Sequence, residues 1–147
     1  MGRTLLVLLA GLIYVIAGIH LLAHWLFLYW TYPWLDSVMH TLAGLWISLF
    51  ILWLVHHSPY REGISHHVAL VHKHGNALIV LGSTFVFGVL WELYQLSAHI
   101  LFDIPFKPDH LADSVSDVLF GIMGAGVGLM LYRLFGGKQG AKSHAKE

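Results

Sequence analysis

Cysteine is absent from this chain and charge is scarce. The first absence excludes disulfides, thiolate nucleophiles and Cys-ligated zinc. Charged side chains make up 11% of the 147 residues, against about 25% in a typical soluble domain. The formal net charge is zero, so no basic face exists for nucleic acid, and no such partner is expected. Hydrophobic residues fill the space left, at 57%, and histidine is unusually common, at 12 residues. The length suits one domain, and the apolar excess puts that domain in lipid.

Four apolar runs, approximately Leu5–Tyr29, Ser37–Val55, Ala77–His99 and Ser114–Phe135, are each near the roughly 20 residues needed to span a bilayer. Helix is the expected state, because an open strand edge cannot be satisfied in hydrocarbon. The first run is too long for a signal peptide and is expected to be retained. Residue 6 is Leu, so the myristoylation pattern fails despite Gly2. The expected fold is therefore all-α: an integral membrane bundle of four transmembrane helices over residues 1–135. Residues 136–147, Gly- and Lys-rich, read as a flexible cytoplasmic tail.

Positive charge sets the orientation. Arg3 precedes the first span, Arg61 and Lys73 lie in the second connection, and Arg133, Lys138, Lys142 and Lys146 end the chain. The first connection, Trp30–Asp36, has no Lys or Arg. The third has Lys107 against Asp103, Asp109 and Asp113. Both termini and the His56–Asn76 loop are expected on the cytoplasmic side of the inner membrane. Trp25, Trp30, Tyr32 and Trp34 fit an interfacial aromatic belt at the outer side.

With that topology the ionisable residues of the spans gather in the outer half. His20 and His24 end the first span, and Asp36 and His40 open the second. Glu92 and Gln95 lie in the outer half of the third, with His99 beyond them. Asp113 and Asp117 open the fourth. Spacings of three, four and seven keep such groups on one helix face. An ionisable group in hydrocarbon costs about 2.5–3.5 kcal/mol, so its retention points to a partner or a task. On the fourth span Asp113, Asp117, Gly121, Gly124 and Gly128 follow at helical spacing. On the second, Asp36, His40, Gly44 and Ser48 do the same. Small residues let helix backbones approach, so both polar stripes should face the bundle interior.

Each residue also has a plainer account. Asp36 and Asp113 stand at helix starts, and Ser114-x-x-Asp117 resembles a capping box. A neutral imidazole near the interface suits His20, His24 or His99. A structural carboxyl bonded to His40 would explain Glu92. These accounts explain the members singly and not their gathering. Imidazoles with carboxylates and no thiolate suit one divalent ion: zinc, manganese, iron or copper. The expected ligands are His40, Glu92 and Asp117 with His24, Asp36 or Asp113. Gln95 would orient one of them, and Glu92 and Asp117 would serve as acid/base groups. At that depth a lipid headgroup or lipid-linked envelope substrate fits. A haem between His40 and His99 is a weaker option, and a proton path lacks polar residues in the inner half. The non-enzymatic alternative is an accessory subunit of a larger membrane complex, with Trp46, Trp53 and Trp91 as docking groups. The loop histidines His56, His57, His66, His67, His72 and His74 are a compositional signal, and residues 64–71 could lie on the surface as a short helix.

The ordered set Asp36-x-x-x-His40, Glu92-x-x-Gln95 and Ser114-x-x-Asp117 running into Gly124-x-x-x-Gly128 resembles the VanZ-like families of small bacterial membrane proteins. The likeness covers residues 36–128 and implies a multi-helix envelope protein. Where that pattern carries an Arg before its last Asp motif, this loop has Lys107 and His110, so an Arg phosphate clamp is not implied.

Overall fold

The structure, a computed structural model, describes residues 2–60, 75–103, 105 and 109–143. It is built from helices: α1 (Gly2–Trp25), a short α2 (Leu28–Thr31), α3 (Trp34–His57), α4 (Gly75–Leu101) and α5 (His110–Ser143). No strand occurs among the described residues. Four helices contain apolar spans of 24 to 26 residues, about 36–39 Å at 1.5 Å per residue, which crosses a hydrocarbon core of ~30 Å. The expected four-helix membrane bundle is therefore present.

The bounds differ from those read in the sequence at several places. The first span stops at Trp25, four residues short of Tyr29, and the chain reverses through Phe27 at φ 56°. A non-glycine residue in that left-handed region is uncommon and costs about 1–3 kcal/mol. The second span runs on to His57, so His56 and His57 belong to the last turn of α3 and not to a loop. The α5 backbone stays helical to Ser143, past Phe135. His66, His67, His72, His74, the suggested helix at 64–71 and Lys107 lie outside the described residues.

The helices pack around one seam. A side-chain carbon on Gly44 would run into the Gly121 carbonyl, one on Gly124 into the Thr41 carbonyl, and one on Gly128 into Ser48. Gly121 meets His40 and Gly44, Gly124 meets Thr41 and Leu45, and Gly128 meets Leu45 and Ser48, so the paired stretches advance together and α3 and α5 run parallel at backbone contact. α4 returns antiparallel beside them, and Leu52, Val80, Ala125 and Leu129 from the three helices form the buried core. Buried Ser48 and Thr84 donate to the carbonyls of Leu45 and Val80 on their own helices, so neither hydroxyl is orphaned.

α1 is an outrigger. Its buried residues Leu9, Ile16 and Ala23 recur every seven positions and make one stripe. Trp46 donates its indole N–H to the Leu9 carbonyl at 2.8 Å, and Trp53 donates to the Gly2 carbonyl at 3.1 Å. Both half-buried indoles thus tie α1 to α3 through their N–H groups, which need an acceptor, while Trp91 stays exposed on α4.

Gly44→Ala or Gly124→Ala should lower stability by about 1–3 kcal/mol through overpacking. Thermal unfolding in detergent should show a clear drop for each. Gly18→Ala, where nothing lies within 4 Å, should leave the midpoint unchanged.

Candidate metal centre

The seam carries the polar residues of α3 and α5 to one place. From Gly44 and Gly121, one helical turn toward the end that holds α2 reaches His40 and Asp117. Asp36 follows one further turn along α3. His40 Nε2 lies 3.7 Å from Asp36 Oδ1, 3.8 Å from Asp117 Oδ2 and 4.0 Å from Glu92 Oε1. One imidazole nitrogen thus faces three carboxylates from three helices. None of these separations is a direct hydrogen bond, which would need about 2.7–3.2 Å.

Donor atoms of Asp36, His40 and Asp117 all lie within 4.8 Å of one another. Ligands at 2.0–2.2 Å from one tetrahedral ion stand about 3.3–3.6 Å apart. The group is therefore wider than a closed site by up to roughly an ångström, a distance that side-chain rotation covers. Glu92 Oε1 is buried and has no hydrogen-bond partner among the described residues. A buried carboxyl oxygen without a donor is costly; this one faces His40 Nε2 at 4.0 Å from outside the closer trio of Asp36, His40 and Asp117.

The capping accounts do not hold for Asp36 and Asp117. The residue before α3 is Pro33, and no side chain caps that helix; Asp36 turns to His40 instead. α5 starts at His110, so Ser114 and Asp117 lie within the helix and form no capping box. Asp113 does stand in the first turn, half-buried, and its carbonyl accepts from Ser116 at 2.7 Å. It is outside the trio of Asp36, His40 and Asp117; Gln95 is half-buried one turn beyond Glu92. His24 is exposed on α1. The ring of His99 lies 5.5 Å from that of His110.

Two polar groupings escaped the sequence reading. Half-buried Tyr29, on α2, shares a 2.8 Å hydrogen bond with His20 Nδ1. Burial, and then the nearby Asp36 carboxylate, push its phenol up to about 12. At the opposite end His56 stacks on Tyr132 at 5.7 Å, and the Tyr132 hydroxyl lies 3.3 Å from His57 Nε2. The only signal for the first was the aromatic belt, and nothing in the spacing marks the second.

The model of the family described as "Predicted membrane protein (DUF2238)" matches residues 3–137. The chain belongs to this family. The match takes in all four spans and every residue around His40, and it makes this DUF2238 chain a membrane protein. No curated protein and no solved structure matches it. The family description speaks of the membrane and assigns no chemistry.

Removing the Asp36 charge should ease ionisation of Tyr29, because a carboxylate disfavours a neighbouring phenolate. In Asp36→Asn the Tyr29 phenol, at about 12, should move part of the way down toward the ordinary value of 10.0, since burial, the larger cause, remains. Ultraviolet titration of the purified protein reads this directly; an unmoved titration would place Asp36 out of electrostatic reach.

Proposed function

We propose that this DUF2238 protein binds one divalent metal ion, of zinc, manganese, iron or copper, between Asp36, His40, Glu92 and Asp117. We further propose that it uses the site to act on or recognise a lipid headgroup or a lipid-linked envelope substrate. The carrying observation is the single imidazole nitrogen facing three carboxylates at 3.7–4.0 Å inside membrane helices. Three negative charges in a medium of low dielectric repel one another, and an imidazolium offsets only one of them. A divalent cation offsets two and gives the unpartnered Glu92 oxygen a partner. Carboxylate oxygens with one imidazole also match the preferences of first-row divalent ions.

An ion so held would supply an acidic water or polarise a substrate oxygen. Asp117, the most buried of the three acids, would fix the geometry from α5. Glu92 would take or return a proton from α4. Asp36 lies nearest the surface and would meet whatever approaches. The excess of Lys and Arg near the termini supports a cytoplasmic placement for them, which puts the site toward the outer face of an inner membrane. The resemblance of the ordered motifs to those of VanZ-like proteins supports an envelope role.

A second reading, a non-catalytic subunit of a larger membrane complex, rests on α1. That helix packs on α3 and leaves Val7, Leu8, Tyr14 and Leu21 uncovered. Glu92→Gln separates the readings: lost partner co-purification with unaltered metal content would favour the subunit.

Elemental analysis of detergent-purified protein should give one divalent ion per chain. His40→Ala and Asp117→Asn should each weaken binding by more than the roughly 10–100-fold that outer-shell changes cost at metal sites. Wild-type protein without stoichiometric metal, and without uptake of added Mn2+ or Zn2+, would reject the metal reading.

A further inference from the structure

The centre around His40 is set inside the bundle. The Asp117 side chain is 4% exposed, and those of His40 and Glu92 are 12% exposed. A cation entering such a place needs oxygen or nitrogen along its way, because a bare charge is costly to bury.

The cleft between α4 and α5 offers these atoms in order. α4 carries Glu92, Gln95 and His99, and α5 carries Asp117, Asp113 and His110. Spacings of three and four put each trio on one helix face. The helices are antiparallel, so both trios run from the centre toward the same end of the bundle. Contacts fix the pairing at its two ends. Glu92 and Asp117 face the same His40 nitrogen at 4.0 and 3.8 Å, and the rings of His99 and His110 meet at 5.5 Å. Seven residues separate these contacts on each helix, a rise of about 10.5 Å. Half-buried Gln95 and Asp113 lie between them.

The far pair has the dimensions of a metal ligand set. An imidazole bound at about 2.0–2.1 Å puts its ring centre about 3.2 Å from the ion, and two such rings on a tetrahedral ion stand about 5.2 Å apart. His99 and His110 come close to this, at 5.5 Å and 45°. Charge favours a cation there as well. His99 is in the last turn of α4, the negative end of that helix, and Asp113 in the first turn of α5 offsets the positive end. The connection between the two histidines adds exposed Asp103 and Asp109 against Lys107.

We infer that His99 and His110 form a second metal site, which receives a divalent ion such as zinc and passes it along Asp113 and Gln95 to the centre. The inference rests on the divalent-ion reading above. Two protein ligands hold an ion loosely enough to release it, as a receiving site requires. Imidazoles suit zinc, iron, nickel and copper, so the pair disfavours manganese among the ions proposed for the centre. An ion arriving between α4 and α5 leaves the opening at Asp36, on α3, to the substrate.

Zinc uptake by the detergent-purified full chain, stripped first with a chelator, tests this. Equilibrium dialysis counts the ions, and stopped flow with a zinc-sensitive dye gives the loading rate. Wild type should bind one tight ion and bind others weakly. His99→Ala and His110→Ala should each bind one weak ion fewer; the loop histidines, unchanged in every variant, cancel. Both variants should keep the tight ion, which reports an intact fold. They should load it about tenfold more slowly, the low end of the roughly 10–1000-fold that charged clefts add to on-rates. Asp113→Asn should keep both ions and slow loading likewise. Weak binding equal in wild type and both histidine variants overturns the receiving site, and a tight ion still present then leaves the centre standing. Loading at the wild-type rate in all three variants overturns delivery and points to entry over Asp36. A wild type without a tight ion rejects the centre, and delivery with it.

Discussion

The backbone contact between α3 and α5 is the constraint on which the molecule depends. Gly44 against Gly121 and Gly124 against Thr41 leave no room for a side chain. In lipid, helices gain little by burying apolar surface against each other, because the tails are equally apolar. Close packing must therefore supply the association, and small residues permit it. Everything polar at the α2 end follows from this register. His40 and Asp117 each lie one turn from the glycine contact, so helices locked there have no choice but to bring the two together.

The same seam divides the bundle along its length. At one end stand one imidazole and three carboxylates, and at the other His56, His57 and Tyr132. Between them Leu52, Val80, Ala125 and Leu129 fill the core. Ser48 and Thr84 are buried at the seam, yet both bond to their own helix backbones. No chain of exchangeable protons is apparent across that apolar layer among the described residues. The architecture suits a chemistry confined to one face better than a path through the membrane.

Much of this was legible in the sequence, for identifiable reasons. Span lengths follow from hydropathy, and the inward direction of the polar stripes follows from their continuation into glycine. The convergence of Asp36, His40, Glu92 and Asp117 could be read from helix period and alternating direction alone. What could not be read depended on single backbone or side-chain events. The reversal at Phe27 uses neither Gly nor Pro, so Tyr29 looked like the end of a span when it begins a return. The bonds of Trp46 and Trp53 to α1 were not legible because nothing in their spacing names Leu9 or Gly2 as acceptors. Asp36 looked like a cap because position alone does not reveal that its carboxylate turns to His40. His24 shares its helix face with His20, yet only His20 meets the returning chain.

The parallel course of α3 and α5 has a consequence for biogenesis. The two helices are separated in the chain by the whole of α4, which carries it back across the membrane. α1 and α3 can pair through their indole bonds as soon as both are inserted. The acidic face of α3 then waits for a strip of glycine that the ribosome has yet to make. Until the last span arrives, Asp36 and His40 have no Asp117 to face. A chain truncated before residue 117 would leave them stranded in hydrocarbon, a ready signal for membrane quality control.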